Sequence, residues 1–193
     1  MCGVLALFRN CRDPRGQESR LAPGWRVRVH MAWQDSRVVM RPNASEYTMA
    51  DNAPSDSETA VFRGTLLAVR HALGSLDVDL ISDSPWPGDV LPAVDRLRLV
   101  TKHGRLRRRE SITARVDPTI DDQFEDALAV IPFTIGSTGL THDAHLAYSA
   151  DDTGTSLYVQ LTPAERDVAR EYIRGHGWDP AVLEEHRRVR GRR

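Results

Sequence analysis

Two carboxylates in the segment Ser57–Ser84 are of a residue type that can bind a divalent cation. Glu58 falls in the first turn of a predicted helix, and Asp83 falls at the end of the strand predicted to follow it. Carboxylate oxygens are the ligands that Mg²⁺ prefers in proteins, and Mg²⁺ or Mn²⁺ held in this way promotes phosphoryl transfer. Asp83 and Glu58 are therefore candidate site residues. The alternative for Asp83 is a strand-end residue that caps the following turn.

The helix that would position Glu58 is predicted over Ser57–Leu73. Ser57 has the residue type of an N-cap, and Gly74 follows the last periodic residue, where helices often end in glycine. Apolar side chains recur at helical spacing and predict one buried stripe made of Phe62, Leu66, Val69 and Leu73. A short strand through Val78, Leu80 and Ile81 then leads to Asp83.

The rest of the chain predicts an α/β fold, a mixed β-sheet with an N-terminal antiparallel hairpin and flanking helices. The predicted strands are Val4–Phe8, the hairpin Trp25–Arg41, an edge strand at Glu46–Met49, Glu110–Val116 and Ser156–Leu161. The predicted helices are Asp89–Leu99, Thr119–Ile131, one from the capping box at Thr162 to Arg174, and one from Asp179. The glycine-rich segment Pro132–Thr155 is predicted to be irregular.

The N-terminal strand, the hairpin and FRGTLLAVRHALGSLDVDLISDS resemble the ribonuclease H-like fold over Val4–Ser84. That family starts with three antiparallel strands, followed by a helix and a strand that ends in an acid. The resemblance implies that Asp83 is this acid and that Asp83 and Glu58 are the catalytic and metal-binding residues. The helix acid of the family falls on Val61, one turn after Glu58. A late acid would come from Asp143, Asp151 or Asp152. The implied activity is metal-dependent cleavage of nucleic acid, or binding by a catalytically degenerate relative.

Composition indicates an ordinary globular protein and limits its environment. The 193 residues carry a formal net charge of −1 and are 40% hydrophobic, which suits a single domain, 1–193, with a basic tail at Arg187–Arg193. No apolar run approaches the roughly 20 residues that span a bilayer, so no membrane association is expected. Cys2 and Cys11 form no disulfide framework or metal spacing, which predicts a cytoplasmic location.

A cluster of basic residues gives the second candidate site. Its members, which could contact the phosphates of nucleic acid, are Lys102, Arg105, Arg107, Arg108 and Arg109. The alternative is that the acidic stretch Asp117–Asp126 neutralises this run within the molecule. His142 and His145 could also share a metal, although loop histidines are more often solvated.

A weaker resemblance connects VFRGT, FTIGSTGL and SLYVQL to the ordered sequence blocks of ADP-ribosyltransferases. It implies that Arg63 holds a phosphate of NAD and that Ser137 or Thr138 braces the site. The family's catalytic glutamate has Gln160 in its nearest place, and Glu165 is better explained by the capping box.

Taken together, the sequence predicts a nucleic-acid-associated protein on a ribonuclease H-like scaffold, either a metal-dependent nuclease or a degenerate one. It leaves open whether the protein is an enzyme. One alternative is a non-enzymatic protein-interaction or inhibitory module with a protein partner. The other is an NAD-using enzyme similar to ADP-ribosyltransferases.

Overall fold

A computed structural model describes residues 39–101, 113–151 and 156–186, all within one compact unit, Val38–Arg193. The strands are β1 (Ser45–Met49), β2 (Leu73–Asp79), β3 (Thr113–Val116), β4 (Gly136–Thr141), β5 (Leu146–Asp151), β6 (Ser156–Leu161) and β7 (Leu183–Glu185). The helices are α1 (Glu58–Val69), α2 (Leu91–Thr101), α3 (Asp121–Val130) and α4 (Pro163–Gly175). The predicted strand Val4–Phe8, residues 25–38 of the predicted hairpin, the basic run 102–109 and the tail 187–193 lie outside the described residues. Among the residues described, no helix is both long enough and apolar enough to cross a membrane.

The strands form one seven-stranded sheet in the order β3-β2-β4-β5-β6-β1-β7. Every neighbouring pair of these strands is antiparallel. The α/β class with flanking helices is therefore confirmed, whereas the prediction of a mixed sheet is wrong for the strands that the structure describes. The ribonuclease H-like assignment stays a prediction, because the first strands that carry it fall among residues that are not described.

The two faces of the sheet differ in chemistry, as alternation along antiparallel strands requires. One face is apolar and packs under the helices, and a row across it contains Val116, Leu76, Gly139, Tyr148, Val159 and Tyr47. The other face is polar, and its matching row contains Arg115, Asp77, Thr138, Ser149 and Tyr158. Three members of the predicted stripe, Phe62, Leu66 and Val69, are fully buried on α1, and the fourth, Leu73, is buried but belongs to β2.

The end of α1 differs from its prediction. The α-helix stops at Val69, a 3₁₀ turn covers Arg70–Ala72, and β2 begins at Leu73. Gly74 lies inside β2, where a Cβ atom would stand 2.8 Å from the Cα atom of His142. The glycine therefore permits close approach of another chain segment and does not end the helix. Ser57 does not cap through its side chain, because its Oγ donates to the carbonyl of Pro54.

The segment Pro132–Thr155, predicted to be irregular, holds β4 and β5. The glycines of this segment disfavoured a strand in the sequence, but Gly139 is explained by the close packing of its neighbours. A Cβ atom at Gly139 would lie 2.9 Å from Leu73 Cδ2 and 3.1 Å from Tyr148 Cβ. A side chain at Gly139 would have to displace Leu73 and crowd Tyr148, so glycine suits this position although it weakens the strand signal in the sequence.

Three further predictions about strands and helices are corrected. The strand predicted at an edge, β1, pairs with both β6 and β7. The helix predicted from Asp179 is a 3₁₀ turn, Pro180–Val182, followed by β7. Residues 39–41, the end of the predicted hairpin, form no strand, because the amide of Arg41 donates to Gln160 Oε1 and its guanidinium donates to the carbonyl of Gln160.

Other elements agree closely with prediction. β6 has the predicted bounds, α2 and α3 begin and end within two residues of theirs, and β3 matches the end of Glu110–Val116. α4 opens on the predicted capping box, in which Thr162 and Glu165 bond each other's backbone amides. α4 lies close to α1 because Gly64 has no side chain, and a Cβ there would stand 3.0 Å from Tyr172 Cδ1.

Candidate functional site

The predicted metal-binding residues occupy different positions from those expected. β2 ends at Asp79, so Asp83 lies four residues beyond the strand and is exposed. The strand stops early because its partner β4 starts at Gly136, which faces the end of β2. Glu58 is the first residue of α1, and burial raises the pKa of its carboxyl above the ordinary value. Metal binding by Asp83 and Glu58 stays a prediction.

The acid at the end of β2 is Asp79, which lies near a different late acid. Asp79 Oδ1 accepts a 2.7 Å hydrogen bond from Thr113 Oγ1. A Cβ atom at Gly136 would stand 2.9 Å from Asp79 Oδ2 and 3.5 Å from Asp151 Oδ1, so both carboxylates flank this glycine. Asp143 is exposed in the turn after β4, and Asp152 is not among the described residues. Within the described ranges, no three His, Cys, Asp or Glu residues are grouped so as to hold a metal ion.

The residues matched to ADP-ribosyltransferases have structural partners. Arg63 lies on α1, and its Nε donates to the carbonyl of Leu128. Ser137 is buried on β4, with its Oγ bonded to the carbonyl of Ala150. Gln160 is fully buried, and its Nε2 donates to backbone and side-chain oxygens, including the carbonyl of Leu146.

The acidic stretch that could neutralise the basic run has described partners of its own. Asp126 forms a two-pronged ion pair with Arg96, whose Nη2 lies 2.6 Å from Asp126 Oδ1. Asp121 pairs with Arg70. Since residues 102–109 lie outside the described part of the chain, their contact with nucleic acid stays a prediction.

A cavity of about 330 Å³ opens at the other end of β2, where the strand begins. Three chain segments meet there: the 3₁₀ turn after α1, the loop from β3 to α3, and the turn between β4 and β5. The residues that line it are Arg70, His71, Leu73, Pro118, Thr119, Asp121 and His142. Two histidines, an arginine, a threonine and an aspartate are thus among the residues that line one cavity of the described structure.

Arg70 connects the chain segments that line this cavity. Its Nε donates a 2.8 Å hydrogen bond to the carbonyl of Pro118, and its Nη2 pairs with Asp121. The guanidinium carbon stands 4.4 Å from the centroid of the Phe124 ring. These contacts fix the loop before α3 against the end of α1. Nη1 donates to no described residue, which leaves one amino group for a ligand.

The place of His142 follows from the shape of β2 and its partner strand. A Cβ atom at Gly74 would stand 3.0 Å from His142 Nδ1, so this edge of the imidazole lies against β2. His71, three residues before Gly74, lies in the 3₁₀ turn Arg70–Ala72 and lines the same cavity. The sequence predicted a shared metal site of His142 and His145. His145 is not among the residues that line this cavity, and its backbone amide donates to Thr141 Oγ1. The pairing of His71 with His142 depends on strand register, which the sequence does not display.

The charge of the cavity favours an anionic ligand. The charges of Arg70 and Asp121 cancel, and each imidazole of the two histidines can donate a hydrogen bond to an anion. α3 also begins here, with Ile120 as an N-cap residue that supplies no side-chain hydrogen bond. The positive end of a helix dipole adds to the attraction. A cation is less favoured, because Arg70 already engages the carboxylate of Asp121.

Comparison of the chain with models of known protein families, with curated proteins and with solved structures found no match.

Proposed function

We propose that this protein associates with nucleic acid and that the cavity at the start of β2 holds a phosphate group of the nucleic-acid backbone. The observation that carries the proposal is the convergence of His71, His142 and Arg70 on one cavity. Imidazolium and guanidinium groups are strong hydrogen-bond donors to phosphate, and Arg70 is held in place before a ligand arrives.

The size of the cavity narrows the class of ligand. Its volume, about 330 Å³, lies at the lower end of the range for ligand pockets, about 300–1,000 Å³. This favours a phosphate with its adjoining sugar over a dinucleotide such as NAD. The ADP-ribosyltransferase alternative therefore receives less support than phosphate binding.

The basic run predicted from the sequence is compatible with this placement. Lys102, Arg105, Arg107, Arg108 and Arg109 precede β3 in the chain, and β3 leads into the loop that lines the cavity. We propose that the run adds backbone contacts beyond the one phosphate in the cavity. Each such contact releases counterions, so the affinity should fall steeply with salt.

The binding experiment measures fluorescence anisotropy of a labelled single-stranded oligonucleotide with the full chain. The double variant His71→Gln, His142→Gln is compared with the wild type and with His145→Gln, which alters a neighbouring histidine outside the cavity. Loss of two charge-assisted hydrogen bonds, at about 1.5–3 kcal/mol each, predicts an affinity at least about a hundredfold weaker. The control should bind like the wild type. Equal affinity of all three proteins would refute the cavity as the phosphate site.

A further inference from the structure

We propose that the cavity cleaves RNA without a metal ion, with His71 and His142 as a general acid–base pair. This inference rests on the proposed function, since it requires that a backbone phosphate occupy the cavity. It differs from the metal-dependent cleavage that the ribonuclease H-like resemblance implies. The two imidazoles come from separate chain segments, the 3₁₀ turn after α1 and the turn after β4, and line the same cavity.

The chemistry needs one neutral and one protonated imidazole. The neutral imidazole removes the proton of the ribose 2′-hydroxyl, and the 2′-oxygen then attacks the adjacent phosphorus. The bond from phosphorus to the 5′-oxygen breaks, its electron pair stays on that oxygen, and the imidazolium supplies a proton to it. The products are a 2′,3′-cyclic phosphate and a free 5′-hydroxyl. No oxidant, reductant or further reactant is needed, and solvent exchange restores the two protonation states.

Arg70 would stabilise the negative charge that develops on the phosphoryl oxygens. Its guanidinium is fixed by Pro118 and stacks on Phe124, so little reorganisation is needed when negative charge increases on the phosphoryl oxygens. Nη1 is the group that remains for this contact. Arg70 pairs with Asp121, whose side chain is 84% exposed, so an entering phosphate can compete for the guanidinium.

Other charged groups near the cavity will shape its pH dependence. Thr119 donates through its amide and its hydroxyl to Asp117, and these bonds lower the pKa of that carboxyl. Asp143 follows His142 in the turn, and Asp122 follows Asp121 in α3. Catalysis by an acid–base pair requires one protonated and one neutral imidazole at the same time. A bell-shaped pH profile should result.

The test incubates an end-labelled RNA oligonucleotide with the full chain in excess EDTA. Matched substrates are the same RNA with one 2′-deoxy residue and the corresponding DNA. We expect products with a 2′,3′-cyclic phosphate from RNA, no cleavage at the 2′-deoxy position and none of DNA. His71→Gln and His142→Gln should each lower the rate about 10²–10⁴-fold. His145→Gln, prepared identically, should retain the wild-type rate, whereas a contaminating ribonuclease would cleave equally in every preparation, including His71→Gln and His142→Gln.

The outcomes separate this inference from the proposed function. If the wild type binds the oligonucleotide through His71 and His142 but cleaves no RNA in EDTA, acid–base cleavage is refuted and phosphate binding stands. If both single variants cleave like the wild type, the inference is also refuted. If the histidine variants change neither binding nor cleavage, both proposals fail. Melting temperatures of all variants verify that folding is retained, which is expected because both imidazoles belong to exposed residues.

Discussion

The two ends of strand β2 carry different groups: carboxylates at the end of the strand, and an arginine with two histidines around a cavity at its beginning. At the Asp79 end, the buried Thr134 hydroxyl donates to the carbonyls of Asp79 and Ile81, and Thr113 bonds the Asp79 carboxylate. At the other end, Arg70 and two histidines surround a cavity. The sequence predicted a site at the carboxylate that ends the strand, but the cavity that can admit a ligand lies at the beginning of the strand.

The largest expected change in the free energy of unfolding comes from a substitution in the core that supports both ends of β2. Leu66 on α1 is fully buried, so Leu66→Ala should lower the free energy of unfolding by about 2–5 kcal/mol. Urea denaturation measures this loss. Oligonucleotide affinity of the folded fraction should be unchanged, since Leu66 does not line the cavity. A loss below about 1 kcal/mol would contradict the packing of α1 on the sheet.

Glycine substitutions at the two ends should separate stability from binding. Gly74→Ala places a Cβ atom 2.8 Å from the His142 backbone, and Gly136→Ala places one 2.9 Å from the Asp79 carboxylate. Overpacking of this kind costs about 1–3 kcal/mol, and thermal denaturation should show the loss in both variants. Only Gly74→Ala should weaken oligonucleotide binding, because only it displaces His142. Equal loss of binding in both variants would contradict the distinction between the ends.

Substitution of Arg70 should affect both stability and phosphate affinity at the open end. Arg70→Lys retains the charge but cannot keep the planar contact with Phe124 together with the bonds to Pro118 and Asp121. We expect a loss of about 1–2 kcal/mol of stability by urea denaturation, in the range of one charged hydrogen bond. Oligonucleotide affinity should fall as well. Wild-type affinity in Arg70→Lys would show that charge alone is sufficient.

The smallest effect concerns Glu58 and the metal-binding hypothesis. Burial raises the pKa of Glu58 above 4.5, so the folded state binds a proton more tightly than the unfolded state. Stability should therefore fall as pH rises from 4.5 through the raised pKa and stay constant above it. Glu58→Gln should be slightly more stable than the wild type at neutral pH, with no such gain in acid, as measured by thermal denaturation.

A metal titration of the same variants tests the predicted pair. If Glu58 and Asp83 bind Mn²⁺, added Mn²⁺ should raise the melting temperature of the wild type but not of Glu58→Gln or Asp83→Asn. An identical response of all three proteins would refute metal binding by these residues.

Local signals in the sequence predicted much of the fold. Apolar periodicity identified α1, the Thr162 capping box identified α4, and alternation identified β6. β4 was not predicted because glycine has low β propensity, whereas Gly136 and Gly139 fit closely against neighbouring side chains. The cavity was missed for a similar reason. The sequence shows Gly74 after a helical pattern, but the contact of this glycine with His142 depends on strand pairing across the sheet.

The central claim, that His71 and His142 hold one phosphate together, is tested most directly by NMR of the imidazole groups. Long-range ¹H–¹⁵N correlation spectra would be recorded while inorganic phosphate, and then a short oligonucleotide, is added to the full chain. We predict that the signals of His71 and His142 shift together along one saturation curve while those of His145 stay in place. Shifts of His71 and His142 with different midpoints, or equal shifts of His145, would contradict a shared phosphate site.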